Sequence, residues 1–311
     1  MEEYSFYEGE LTPDYKLAFE LAIFNRREHL LLQSLTGWSS FYIINKKERS
    51  IVAAIFFNTK DRVAISPFKS PFGGIDFCED VPNPILFNFL LFVEEILHRN
   101  KVTKVILKNP PEKYNNLLPA VTTMLIDHGY NKMEDISAII EINAPNIESS
   151  LRHSDKRRLL KSREAGLTFQ KLNIDHLRDV YTFIEECRSS KGYKLSMEFR
   201  DLEKTVQTFP HDFLLFAVFY NDRIAAASIS IRVKRNVLYD FYHDHHKDFN
   251  YFSPVVMLIN GIAEYCYMED IKLLDLGTSS INNSTNVSLL NFKLKLGATP
   301  STKFTFEKTL A

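Results

Sequence analysis

The chain has 311 residues, 45% of them hydrophobic, and a formal net charge of -1 from 38 basic and 39 acidic side chains. That length suits two domains of about 150 residues, and the balanced charge excludes a globally basic nucleic-acid binder, leaving any anion site as a local patch. Three widely spaced cysteines, Cys78, Cys187 and Cys266, give neither a metal pairing nor an even disulfide set.

A reducing, cytoplasmic setting is expected. The acidic start MEEYSFYEGE lacks the basic and apolar regions of a signal peptide, and no stretch approaches about 18 unbroken apolar residues. The sequons at Asn282, Asn283 and Asn286 are therefore not expected to carry glycans.

In chain order, Gly37 and Trp38 precede FYIINKKERSIVAAIFF (41 to 57), two apolar strands around a polar turn. The loop SPFGG carries Gly73 and Gly74. An amphipathic helix then leads into KVTKVILKNPP (101 to 111), and a further helix ends in MLIDHGY. A polar, proline-marked break near residues 144 to 150 predicts a first unit over 1–147 and a second over 148–311. The second opens with SLRHSDKRRLLKSREAGL, the strongest local basic run, where Arg157 sits among Arg152, Lys156, Arg158, Lys161 and Arg163. It reads as a helix ending at Gly166, either a solvated face or a surface for phosphates.

Helices near 175–189 and 198–207 follow, then strands near 213–219, 223–233 and 236–243. Ser253 and Pro254 open a helix as N-cap and first residue, running to about Met268. The strand KLLDL precedes a helix capped by Ser284, Thr285 or Asn286, and KFTFEKT closes the chain.

The pattern is written twice. Val105 and Leu273, and likewise Gly129 and Gly297, stand 168 residues apart in matching strand and helix positions. FLLFAVFYNDRIAAASISI (213 to 231) matches the earlier strand pair. The expected fold is α/β, with a mixed, largely antiparallel sheet flanked by helices in each unit.

Two residues break the pattern. On the helical circle Leu289, Leu290, Phe292, Leu294 and Leu296 form an apolar arc, and Lys293 falls near its middle. An ammonium there either snorkels to the helix end or meets an anion, because burial without a partner costs several kcal/mol, of order 3–5. Asp275 lies inside the apolar run LLDL. The first copy has Leu125 and Leu107 at the corresponding positions, so both charges belong to the second copy alone. They either form a structural ion pair or serve chemistry.

The order of elements, the loop SPFGG, the joining helix ending in KSREAGL and NFKLKLGA near the end resemble the GNAT superfamily of N-acyltransferases, and within it the Fem family of tandem units. The resemblance implies transfer of an acyl or aminoacyl group to an amine, with acyl-CoA or aminoacyl-tRNA as co-substrate and no tightly bound cofactor. It places Phe292 and Lys293 at the acyl donor and reaction centre, and points to the strand VLYDFYHD for backbone N–H donors.

On that strand Tyr239, Asp240, Tyr242 and His243 are candidates. Period-two alternation predicts Tyr239, Phe241 and His243 on one face and Asp240 and Tyr242 on the other. Lys293 would stabilise an oxyanion or bind donor phosphate, and Asp275 would orient a group or accept a proton. Donor phosphates are expected near Ser253 at the helix start, although the preceding turn HDHHKDFNYFSP lacks the glycines of acetyl-CoA enzymes.

Trp38, Gly73 and Gly74 are candidates for acceptor or substrate contact, as is Arg157. His243, His245 and His246 match no closed zinc spacing, so no metal is expected. The glutamates before Cys187 argue against a nucleophilic thiol.

The leading expectation is an N-acyltransferase whose acceptor is a small amine or a peptidoglycan-precursor-like molecule of the cell envelope, with tRNA as a further partner and no membrane insertion. The alternative is a non-catalytic binding protein of the same fold. If Lys293 is catalytic, Lys293→Met is expected to keep or raise stability while abolishing transfer, whereas a large loss of stability would favour the structural ion pair and count against the catalytic role.

Overall fold

The computed structural model describes residues 3–10, 15–281 and 284–310. The sequons at Asn282 and Asn283 lie outside these, as do the first two residues of the acidic N-terminus. Two compact units are present, residues 1–135 with 301–311, and residues 136–300.

The first unit contains β1 (Tyr4–Glu8), β2 (Lys16–Leu17), α1 (Arg27–Gln33), β3 (Trp38–Asn45), β4 (Ser50–Lys60), β5 (Val63–Ser66), β6 (Asp76–Phe77), α2 (Asn83–Arg99), β7 (Lys104–Lys108) and α3 (Leu118–Asp127). β1, β3, β4 and β5 pair antiparallel in that order, and β5 pairs parallel with β7. The core is apolar throughout, with Phe41, Phe57, Phe89, Leu107 and Leu125 all at most 2% exposed. Both leucines that correspond to the second-copy charges are thus packed as the fold prefers.

The second unit takes most of β8 (Asn131–Glu141), then α4 (His153–Glu164), β9 (Leu167–Leu172), α5 (Leu177–Ser189), α6 (Phe199–Thr208), β10 (Phe213–Tyr220), β11 (Arg223–Lys234), β12 (Val237–His245), α7 (Pro254–Met268), β13 (Leu273–Thr278), β14 (Ser280–Ile281), β15 (Ser284–Thr285), α8 (Val287–Lys295) and the start of β16 (Thr299–Thr309). Its sheet order is β9, β10, β11, β12, β13, β8, antiparallel except for the parallel pair β12 and β13. β9 is an element that the sequence pattern did not suggest.

The strands that complete each unit explain why the sequence break near 147 and the spatial division differ. β16, from the end of the chain, pairs with β7 in the first unit through Thr305–Thr309. β8, from the end of the first sequence copy, pairs with β13 in the second. A composition break marks where the chain turns, not which neighbour a strand pairs with.

α7 is buried along almost its whole length, from Pro254 to Ala263 without interruption, and packs on Phe216, Leu238 and Leu274. Gly261 sits where a Cβ would stand 2.3 Å from the Phe169 ring, so the close approach of α7 to β9 requires glycine. Among the described residues no helix is long and apolar enough to cross a membrane.

Candidate active site

β12 and β13 start as a regular parallel pair and then part. Their ladder consists of Val237 with Leu273, Leu238 with Leu274 and Tyr239 with Asp275. On its other side β13 slips register against β8 between Asp275 and Thr278, so Leu276 and Gly277 leave the ladder. Gly277 adopts φ +76°, a left-handed conformation that glycine tolerates best.

The broken backbone is held by the two unexpected charges. The Gly277 N–H donates to Asp275 Oδ1 at 2.7 Å. Lys293 Nζ donates to Gly277 O and to Thr278 O, each at 2.9 Å. Buried backbone groups need partners, and here side chains supply what a strand would have supplied. Lys293 is 4% exposed and Asp275 1%. Burial pulls the Lys293 ammonium down to about 8, against the opposing charges of Asp275 and Asp240. An ammonium has three N–H donors, so a third remains beyond the two carbonyl bonds.

The expectation for Lys293→Met changes accordingly. Methionine suits the apolar arc but leaves two buried carbonyls without their donor, which the helical wheel could not reveal.

A β-bulge re-aims the side chains of β12. Opposite β11, Tyr239 faces Ile231 and Asp240 faces Ser230, but Tyr242 faces Ile229 and His243 faces Ser228. Phe241 is the extra residue. The bulge inverts the alternation after it, so Tyr239 and Tyr242 share one face while Asp240 and His243 share the other. The faces expected from period-two alternation are therefore wrong beyond Phe241.

Tyr239 lies beside Asp275, and burial, with Asp275 and Asp240 nearby, pushes its phenol up. Tyr242 is 4% exposed, its hydroxyl 2.6 Å from Ser196 Oγ and its ring under the Arg188 guanidinium at 5.5 Å. On the opposite face Ser228 donates to Asp240 Oδ1 at 2.6 Å, and His243 Nδ1 lies 2.5 Å from Asp240 Oδ2. Burial pushes the Asp240 carboxyl up, but His243, Ser228 and Lys293 together hold it below its ordinary value.

The remaining expected residues fall elsewhere. Phe292, next to Lys293, is half-buried against the unit core. Asn286, not Ser284 or Thr285, caps α8, accepting from Leu289 N–H at 3.0 Å. Ser253 occupies the N-cap position of α7 with φ 54° and no side-chain cap bond. The following residues Pro254–Met257 are buried, so the start of α7 offers no glycine cradle for a pyrophosphate.

Arg157 is exposed on α4. Arg158 pairs with Asp155 at 2.8 Å and Arg163 with Glu148 at 2.7 Å. Arg152, Lys156 and Arg157 make no ion pair among the described residues.

In the first unit Gly73 and Gly74 serve close packing. A Cβ on Gly74 would stand 2.4 Å from Asn109 Oδ1, and one on Gly73 2.9 Å from Pro67. Trp38 donates to Ser34 O at 2.8 Å and lines a cavity of about 740 Å³ with Leu30, Tyr42 and Phe56.

The histidines after the bulge are dispersed, His245 Nε2 lying 2.6 Å from Asn250 Oδ1 and His246 Nδ1 accepting from Asp248 N–H at 3.3 Å. Burial pushes the Cys187 thiol up to about 11, Asp244 adding to it, which suits a packed thiol rather than a nucleophile.

Gly277, Arg188, Ser196 and Ser228 were missed from sequence. The one available signal was a glycine inside the strand pattern LLDLGT, which marks a bulge or close approach.

Residues 149–284 match the family model for an acetyltransferase (GNAT) domain. A crystal structure of FemX superposes with a TM-score of 0.69 at 12% identity, covering 98% of this chain and 97% of that one. The chain has a Fem-like GNAT fold.

Other solved structures share the fold more loosely. The C-terminal domain of a putative lysylphosphatidylglycerol synthetase from Agrobacterium fabrum gives a TM-score of 0.56 at 10% identity, over 83% of this chain and 82% of that one. L-PGS from Bacillus licheniformis gives 0.54 at 14%, over 82% and 80%. No characterised protein sequence matches significantly. In this Fem-like GNAT fold the parted strands, Lys293, Asp275 and Tyr239 lie within the second unit.

Proposed function

We propose that the second unit transfers an acyl or aminoacyl group from acyl-CoA or aminoacyl-tRNA to an amine, with a cell-envelope precursor as the acceptor class. The carrying observation is the opening between β12 and β13, bordered by Lys293 with its third N–H and by Tyr239 beside Asp275. An acyl carbonyl lodged between parted strands meets donors fixed before the reaction starts, the arrangement that stabilises a tetrahedral oxyanion. Lys293 supplies the charge, and Asp275 fixes the strand break that positions it.

The two donors differ in how well the residues suit them. The glycine-free, buried start of α7 argues against acetyl-CoA, whereas Arg152 at the N-cap of α4 and Lys156 and Arg157 on it offer a nucleic-acid backbone cations without an ion pair among the described residues. The C-terminal domain of a putative lysylphosphatidylglycerol synthetase shares this fold, and the lysyl group in that name is an aminoacyl group, which supports the aminoacyl reading.

A non-catalytic binding protein is the second reading, and one observation favours it. Asp275 and Lys293 each have a sufficient structural task in holding residues 277 and 278.

Calorimetric titration of the protein and of Lys293→Met with CoA, acetyl-CoA and a charged tRNA separates these readings. Micromolar binding of one donor, weakened in the variant, supports transfer at this site. Binding of none of them leaves the non-catalytic reading.

A further inference from the structure

The bulge at Phe241 does more than reorder the face of β12. It brings His243 onto the same face as Asp240, one turn of the pleat beyond Tyr239, the last residue of β12 paired to β13. Asp240 is 3% exposed; Ser228 Oγ donates to its Oδ1, and His243 Nδ1 lies 2.5 Å from its Oδ2, a close contact without hydrogen-bond alignment that leaves Oδ2 buried with no other partner among the described residues. Ser230 Oγ, 2.9 Å from Ser228 Oγ, extends this buried polar chain. The His243 side chain keeps 21% of its surface exposed, so its other ring nitrogen is not sealed in the core. The backbone of His243 is tied as well, since Arg188 donates to its carbonyl at 3.3 Å.

A buried carboxylate in contact with Nδ1 favours the tautomer that carries its proton there, because the acceptor has no other donor among the described residues. A proton on Nδ1 then leaves Nε2 with a lone pair. We infer that Asp240 is a positioning residue that holds His243 with Nε2 as the proton acceptor of amine attack at the parted strands. The inference rests on the transfer reading above and deepens it by naming the base.

In the step, the amine nitrogen attacks the carbonyl carbon of the donor ester or thioester and the C–N bond forms. The nitrogen's proton passes to His243 Nε2. The C–O or C–S bond then breaks, and the same proton goes to the departing alkoxide or thiolate. No oxidant or further reactant is needed.

The charged and titratable groups around the pair are few. Arg188 approaches from α5 and Lys293 from α8, the latter holding Asp240 ionised together with His243. His245 is the next residue on the same strand edge. Ser228 and Ser230 of β11 are neutral hydrogen-bonding partners.

The test is nitrogen-15 NMR of the histidines in the whole protein, which needs no donor. The expected wild-type signal for His243 is a protonated Nδ1 and a bare Nε2. In Asp240→Asn the amide can donate to Nδ1, so the tautomer should reverse. A bare Nδ1 in the wild type, or a tautomer indifferent to Asp240→Asn, overturns the inference.

With whichever donor binds, His243→Gln should lower kcat by about 100-fold or more with KM retained. An unchanged kcat overturns the catalytic role even if the tautomer is as expected. Absence of donor binding counts against the transfer reading alone, because the tautomer is read independently. Thermal unfolding of both variants checks that the fold is kept, and a tautomer reversal in folded Asp240→Asn cannot arise from unfolding.

Discussion

Lys293 Nζ donates to the carbonyl oxygens of both Gly277 and Thr278 at 2.9 Å, so one side chain from α8 takes the place of a neighbouring strand where β13 breaks. The ammonium is buried because the backbone it serves is buried. This relationship gives Lys293 a structural task that uses two of its three N–H donors.

Lys293→Met should therefore lower stability by about 1–3 kcal/mol, the range for leaving buried acceptors unsatisfied, partly offset by the removed buried charge. Urea unfolding reads this directly. Transfer activity in the same variant should fall by about 100- to 1,000-fold, the effect of removing one oxyanion donor.

The depressed ammonium gives a pH signature. Burial brings Lys293 from 10.5 to about 8 in the folded state, so between those values the unfolded chain binds more protons. Stability should rise with pH across that window, by up to about 3 kcal/mol from this group, and below about pH 8 that gain is absent. The difference between wild type and Lys293→Met, measured from pH 7.5 to 10, isolates it, and a flat difference would refute the assignment.

Gly261→Ala sets two effects against each other. Helix propensity favours alanine by about 1 kcal/mol, but its methyl would stand 2.3 Å from the Phe169 ring, which is itself stacked on Phe216 at 5.7 Å. Overpacking of this kind costs about 1–3 kcal/mol. A net loss is expected, read as a lowered denaturation midpoint with unchanged slope.

Asn286→Ala removes the cap that accepts from Leu289 N–H and should cost about 1 kcal/mol. Because α8 carries Lys293, faster hydrogen exchange of the helix's first turn should accompany weaker donor binding.

Leu125→Lys tests the comparison between the copies. Leu125 is 1% exposed in the apolar core of the first unit. β7 there pairs regularly with β16 through Leu107 and Phe306. An ammonium at that position lacks the carbonyl pair that Lys293 finds, and a loss of several kcal/mol, of order 3–5, is expected. Tolerance of the substitution in thermal unfolding would mean that burying an ammonium at this helix position costs less than about 3 kcal/mol.

The sequence by itself determined the repeated order of elements, because each depends on local periodicity: α5 at Leu177–Ser189, α7 from Pro254 and the strands around the Asn221 turn all lie where the pattern places them. It also singled out Lys293 and Asp275, since a charge inside an apolar arc or run is visible without coordinates. What the charges meet was not visible. The bulge at Phe241 and the break at Gly277 are set by register against β11 and β8, partners distant in the chain. Period-two alternation continues through a strand until a neighbour interrupts it, and only the tertiary structure says where. The same reason decided which strands β8 and β16 pair with, and it is what brought His243 beside Asp240.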